Sequence, residues 1–174
     1  MTTLSTTAKL CELGVLSHLD YELAETLLEL AREESPEVAL GVAFASWAVQ
    51  RGHVCAELAD LRARVFTDKD DNPLEGIVLP ELGLWLEALR ASKLVALDAP
   101  APDAPRPLVL SGNRLYLARY FEYEGALAEV LLERSRVVHA ELDGALLRTG
   151  LDTLFPISKP GVEHPVGAEA NRQA

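Results

Sequence analysis

His53-Val54-Cys55 is the closest pairing of soft metal ligands in the chain, and Cys11 with His18 supplies two more. Four such donors could complete a tetrahedral zinc site, and a Cys-His pair could make a nucleophile. The spacings match none of the C-x2–4-C or H-x3–5-H patterns that bring neighbouring ligands to one ion. A cysteine just past the end of an apolar helix is more often a small core residue. Neither reading is therefore adopted, and no catalytic or metal-binding residue is assigned. The acidic run Asp68-Lys69-Asp70-Asp71-Asn72 imitates the first half of a calcium loop, with oxygens at positions 1, 3 and 5. Position 6 is Pro73 where glycine is required, and position 12 is Leu79 where a bidentate glutamate is required, so the run is a solvated turn. None of the eleven glycines precedes a lysine, which excludes a G-x-x-x-x-G-K-[ST] phosphate loop within these residues. Tyr116, Tyr120, Phe121 and Tyr123 could stack on bases, but few cations surround them and the net charge is −11. Nucleic-acid binding rests on cations that neutralise phosphates, so these aromatics belong to a core or a protein interface, and this chain by itself should repel DNA.

The elements that must carry these residues are mostly helical. A short helical pattern over residues 4–13 is capped by Ser5 or Thr6 and stopped at Gly14. Ser17 starts a second helix, with Leu19, Leu23, Leu27 and Leu30 or Ala31 as its apolar stripe. Ser35-Pro36-Glu37 is a strong helix start: a capping hydroxyl, proline at the first position and an acid in the first turn. The segment that follows, VALGVAFASWAV, is apolar nearly all round and is expected to be the central buried helix, closed by Arg51-Gly52. Residues 53–61 contain a possible helical turn. Pro80 opens a helix with Leu82, Trp85, Leu86 and Leu89 on one face, followed by a short strand at residues 94–97. Four prolines between residues 98 and 107 make an extended connector.

Leu108-Val109-Leu110 and Leu115-Tyr116-Leu117 flank Ser111-Gly112-Asn113-Arg114, in which Gly112 and Asn113 both accept the positive φ of a hairpin turn. The second run leads into a helix with Tyr120, Phe121, Tyr123, Leu127, Val130 and Leu131 at helical spacing. Hairpin and helix are expected to form one packing unit. A last amphipathic helix spans residues 138–154 and ends at Phe155-Pro156. The expected fold is mainly α with a small β-hairpin or sheet (α+β), a compact helical bundle-like domain over residues 1–156, with 157–174 as linker.

At 174 residues with 49% hydrophobic content the chain is long enough to bury a substantial core without disulfides. Its opening, MTTLSTTAK, lacks a basic region followed by an apolar one, and the longest apolar run is about a dozen residues where a membrane span takes about 20. A cytoplasmic chain with reduced cysteines and no membrane association is expected.

Several segments, in order, carry a resemblance: Gly52-His53-Val54-Cys55; Leu89-Arg90-Ala91-Ser92; the hairpin Leu110-Ser-Gly-Asn-Arg-Leu-Tyr-Leu117; Arg119-Tyr-Phe-Glu-Tyr-Glu124; and Leu151-Asp-Thr-Leu-Phe-Pro156. Together they resemble the N-terminal domain of the exodeoxyribonuclease V alpha subunit, the RecD-type helicase subunit of RecBCD. None is a catalytic motif. The resemblance implies the front of a longer ATP-dependent 5′→3′ DNA helicase, with residues 157–174 leading into a motor that takes ATP and magnesium. It implies that Gln173 stands where related helicases hold adenine, through an amide that can both donate and accept. It also implies docking onto the gamma (RecC-type) subunit and through it the beta (RecB-type) subunit, in double-strand-break repair by recombination. The domain itself would have no chemistry and no cofactor, and the assembly would lie on the nucleoid when acting on DNA. Leu115, Tyr116 and Tyr120 are the expected apolar contacts, with Asp70 and Asp71 facing a basic partner. The alternatives are a self-standing acidic helical adaptor without a motor and a small metal-dependent enzyme centred on Cys11, His18, His53 and Cys55.

Overall fold

The computed structural model describes residues 5–67, 72–74, 76–100, 106–136 and 143–155. The elements are α1 (Thr6–Glu12), α2 (His18–Ala31), α3 (Pro36–Gln50), β1 (Ala56–Glu57), α4 (Leu58–Ala63), α5 (Leu82–Ala91), β2 (Val95–Leu97), β3 (Leu108–Ser111), β4 (Arg114–Leu117), α6 (Ala118–Arg136) and α7 (Gly144–Leu154). The mainly α architecture with one small sheet is as expected. By compactness the chain divides into Met1–Leu132 and Glu133–Ala174, and the division falls within α6. The expected linker at 157–174 lies outside the described residues.

In the first unit α3 is the central post. Ser35 Oγ accepts from the Val38 amide, Pro36 occupies the first turn, and every residue from 38 to 48 is buried. α1, α2 and α5 pack against it, as do β1 and β4. Its centre is Phe44, whose ring lies 5.8 Å from Trp47, 5.8 Å from Phe66 and 6.2 Å from Trp85. Both indoles are anchored, Trp47 Nε1 donating to the Val15 carbonyl and Trp85 Nε1 to the Glu37 carbonyl, each at 2.9 Å. Buried indole N–H groups need such acceptors.

α3 also meets its neighbours at short range through Gly41. A Cβ there would stand 2.8 Å from Leu89 Cδ2 on α5 and 3.1 Å from Leu115 Cδ2 on β4. The helix surrenders some helical propensity at this point so that three elements can close together. Gly41→Ala should therefore destabilise by about 1–3 kcal/mol, although alanine is the better helix former, because overpacking outweighs propensity. Urea unfolding measures the sign.

The leucine row expected on α2 is corrected. Leu19 and Leu30 are exposed, and the buried line is Asp20, Ala24 and Leu28, flanked by the partly buried Leu23, Leu27 and Ala31. Residues spaced by four advance about 40° per step around a helix of 3.6 residues per turn, so a long i+4 row rotates off the contact at its ends. Asp20 is interior because its carboxylate completes a capping box. It accepts from the Ser17 amide and the Ser17 hydroxyl, each at 2.8 Å, while the Asp20 amide donates to Ser17 Oγ. Its other oxygen accepts from Gln50 Nε2 at the end of α3. A similar fastening joins the α2–α3 turn to the turn between α5 and β2: the Glu33 carboxylate accepts from Ser92 Oγ and from the Lys93 amide, each at 2.7 Å.

The sheet runs β1-β4-β3-β2, with β2 and β3 parallel and the other pairs antiparallel. Val95 pairs with Leu108, Ala96 with Val109, and Leu110 with Leu115. Alternation sends Val95, Leu108, Leu110 and Leu115 into the main core, and Ala96, Val109 and Tyr116 to a smaller cluster on the opposite face. In the turn of the β3–β4 hairpin only Gly112 takes a positive φ (57°), and Asn113 does not, which is the type II′ pattern. The edges are short: β1 has two residues, and on β2 the Arg106 guanidinium donates to the Val95 carbonyl.

In the second unit α7 starts at Asp143, whose Oδ1 accepts from the Ala145 and Leu146 amides. This start falls within the expected helix at 138–154, of which residues 138–142 lie outside the described set. Leu146, Leu147, Leu151 and Leu154 are exposed.

Candidate functional site

The hairpin and the helix after it were expected to supply the working surface, and the structure divides them. Leu115 is fully buried against α3, and Tyr116 retains 4% exposure. Both are thereby removed from the list of surface contacts, because a strand covered on both faces has no outward side chains. Tyr116 lies 5.1 Å from Phe121 in an edge-to-face pair, with Cys55 and Ala118 beside it. Burial pushes its hydroxyl up to about 12, helped by the Cys55 thiol and opposed by hydrogen bonding with Arg114. The sign follows. A raised folded-state pKa means stability is fully present below the ordinary tyrosine value and is lost as pH climbs through about 12. A thermal melt series should show the melting temperature falling between about pH 10 and 12, and Tyr116→Phe should flatten that slope.

Tyr120 remains available. It is half-buried, 6.1 Å from Tyr123, with the Arg119 guanidinium 5.4 Å from its ring centre. Past Phe121, which packs on Tyr116, the residues of α6 are exposed: Tyr123 and Leu127 are each 60% exposed, and Val130 and Leu131 about half. Spaced at 120, 123, 127, 130 and 131, these side chains follow one face of the helix. The expected packing unit is thus a packed hairpin followed by an unburied apolar helix face. A helical period identifies a face that prefers to be covered, without saying which surface covers it. Asp70, Asp71 and Gln173 lie outside the described residues.

The soft ligands are brought together only in pairs. Cys11 Sγ and His18 Nδ1 are 3.7 Å apart, and the Cys11 thiol is pushed up by burial and by Asp20, Glu12 and Glu22. That shift holds the thiol protonated, the opposite of what a nucleophile needs. His53 and Cys55 line a cleft of about 490 Å³ with Trp47, Glu57, Asp60 and Arg64. Burial raises the Cys55 thiol as well. Glu57 in that cleft pairs with Arg114 at 3.2 Å. Among the described residues no three His, Cys, Asp or Glu side chains are grouped to hold a metal ion, and no helix is long and apolar enough to cross a membrane.

Residue 12, at the end of α1, to residue 116, in β4, is the span matched by the family model described as the N-terminal domain of the RecBCD enzyme subunit RecD. The chain belongs to that family. Over 119 residues, 68% of its length, it is 38% identical to the RecBCD enzyme subunit RecD of Mycobacterium tuberculosis, in strains CDC 1551 / Oshkosh and ATCC 25618 / H37Rv. It is 32% identical over 118 residues to the protein of the same name from Mycolicibacterium smegmatis. The alignments cover 18% and 19% of those proteins, so the chain spans about a fifth of the curated relatives it matches. Within this RecD N-terminal domain the family span ends in β4, and the exposed face of α6 lies just past it.

Proposed function

We propose that the chain is a non-catalytic docking domain, which attaches a RecD-type subunit to its assembly through the gamma (RecC-type) subunit. The observation that carries this is the row Tyr123, Leu127, Val130 and Leu131, exposed along α6 in a family named for a subunit of a multi-subunit enzyme. Aromatic and aliphatic side chains held on a rigid helix are what the buried centre of a protein interface is made of. The clefts hold no assembled catalytic group among the described residues, and the titration shifts that are resolved at Cys11 and Cys55 disfavour reactivity. In this reading the motor, with its ATP and magnesium, belongs to the remainder of a RecD-type protein, where Gln173 would meet adenine. DNA is reached through the complex, in the cytoplasm on the nucleoid, during recombinational repair.

The test is coexpression of the 174-residue chain with the RecC-type subunit of the same genome, followed by affinity purification and an ATPase assay. A stable complex and no ATP hydrolysis by the chain alone are expected. A chain that elutes free of the subunit, as a self-standing adaptor would, overturns the reading, and so does intrinsic hydrolysis. Leu127→Glu with Leu131→Glu should leave the fold intact, since both side chains are exposed, and weaken the complex at least tenfold, about 1.4 kcal/mol.

A further inference from the structure

Arg51 and Arg64 converge on one ring. The Arg51 guanidinium carbon is 4.2 Å from the Trp47 centroid and that of Arg64 is 5.3 Å away. Both line a single cleft of about 240 Å³ with Trp47, Phe66 and Thr67. They arrive from separate elements, Arg51 as the C-cap of α3 and Arg64 as the C-cap of α4. The platform is rigid, since Trp47 is 4% exposed and its indole nitrogen is bonded to Val15. Two like charges held over one ring repel each other, and an acid between them is the ordinary remedy. In a chain with 27 acidic and 16 basic residues such an acid is easily supplied. Yet among the described residues neither guanidinium makes an ion pair, and Arg114–Glu57 is the pair that is formed. Asp60 shares the neighbouring cleft with Arg64 without pairing to it, and Glu57 there is taken by Arg114.

We propose that Arg51 and Arg64, stacked on Trp47, form a receptor for a carboxylate presented by an acidic segment of a protein partner. Guanidinium is planar, always charged, and bonds a carboxylate through two parallel N–H donors, and a guanidinium held over a ring can keep those donors for a ligand. The net charge of −11 disfavours an extended polyanion such as DNA, while a single carboxylate at close range feels chiefly the two arginines. The protein origin of that carboxylate rests on the docking reading, whereas the anion receptor itself does not.

The experiment is a titration of the isotope-labelled chain with tetraglutamate peptide, following the Arg51 and Arg64 Nε–H and the Trp47 indole resonances. Expected are saturable shifts that weaken with added salt and vanish in R51Q/R64Q, with the Trp85 indole signal unchanged as the check on folding. If that variant fails to fold, R51K/R64K keeps the charge, loses the fork, and should bind several-fold more weakly. Absence of saturable shifts, or equal binding by R51Q/R64Q, overturns the proposal. Tighter binding of an oligothymidylate than of the peptide overturns it in favour of a nucleic-acid site. In the coexpression assay R51Q/R64Q should lower affinity for the RecC-type subunit at least tenfold. A normal complex with this variant removes the proposal and leaves docking intact. A wild-type chain that forms no complex but binds the peptide removes the docking reading and leaves the receptor standing.

Discussion

Phe44→Ala should cost about 3–5 kcal/mol of folding stability, measured as a shift of the urea midpoint at unchanged slope. Phe44 is fully buried in the middle of α3, and its ring touches three other aromatic rings contributed by α3 itself, by Phe66 and by α5. Truncation leaves a cavity that these rings cannot close. Trp47 and Trp85 are tied by their indole nitrogens to Val15 and Glu37, and a tethered ring cannot slide into the gap. Domains of this kind have about 5–15 kcal/mol of stability in all, so the variant should be near the limit of folding. Phe44→Leu, which refills most of the volume, should recover more than half of the loss. A loss below about 1 kcal/mol would show that the aromatic cluster is not the centre of the core.

The second large effect is expected at Asp20. Asp20→Ala should destabilise by about 2–4 kcal/mol, more than an N-cap loss alone, which is typically about 1 kcal/mol. The excess comes from Gln50. Its amide donates to Asp20 from the end of α3 and, once the carboxylate is gone, keeps only the weaker contacts to Ser17 and Ser46. If that account is right, the loss in Asp20→Ala/Gln50→Ala should be smaller than the sum of the two single losses by about 1–3 kcal/mol in a double-mutant cycle. Additive single and double variants would mean that the two side chains are independent and that the network is only a local cap.

How much of this was legible in the sequence depends on whether a signal is local. α3 was readable because its start is written in three consecutive residues and its twelve-residue apolar run, broken only by Ser46, has no polar side to mislead. The hairpin was readable because its turn chemistry occupies adjacent positions. Asp20 was not read as interior, since an acid in a leucine-rich helix suggests solvent, although Ser17-His-Leu-Asp20 is itself a capping-box spelling. β1 and the parallel pairing of β2 with β3 were beyond reach. A two-residue strand has no period, and a parallel partner is chosen by the fold across residues 98–107. The exposure of the α6 row and the burial of Leu115 and Tyr116 share one cause. Periodicity tells which residues lie together on a face, and only tertiary structure tells whether that face is covered. The convergence of Arg51 and Arg64 on Trp47 was equally hidden, because the two arginines end different helices and α4 was expected only as a possible turn.

The sealed margin of the sheet restricts the manner in which any neighbour can be recognised. One border is only two residues long, and on the other the Arg106 guanidinium already occupies a carbonyl that an incoming strand would need. Main-chain zippering, by which many assemblies add a foreign strand and by which misfolded chains propagate, is thereby discouraged on both sides. Recognition is left to side chains on helices, where one substitution can redirect a partner without disturbing the backbone that holds the domain together.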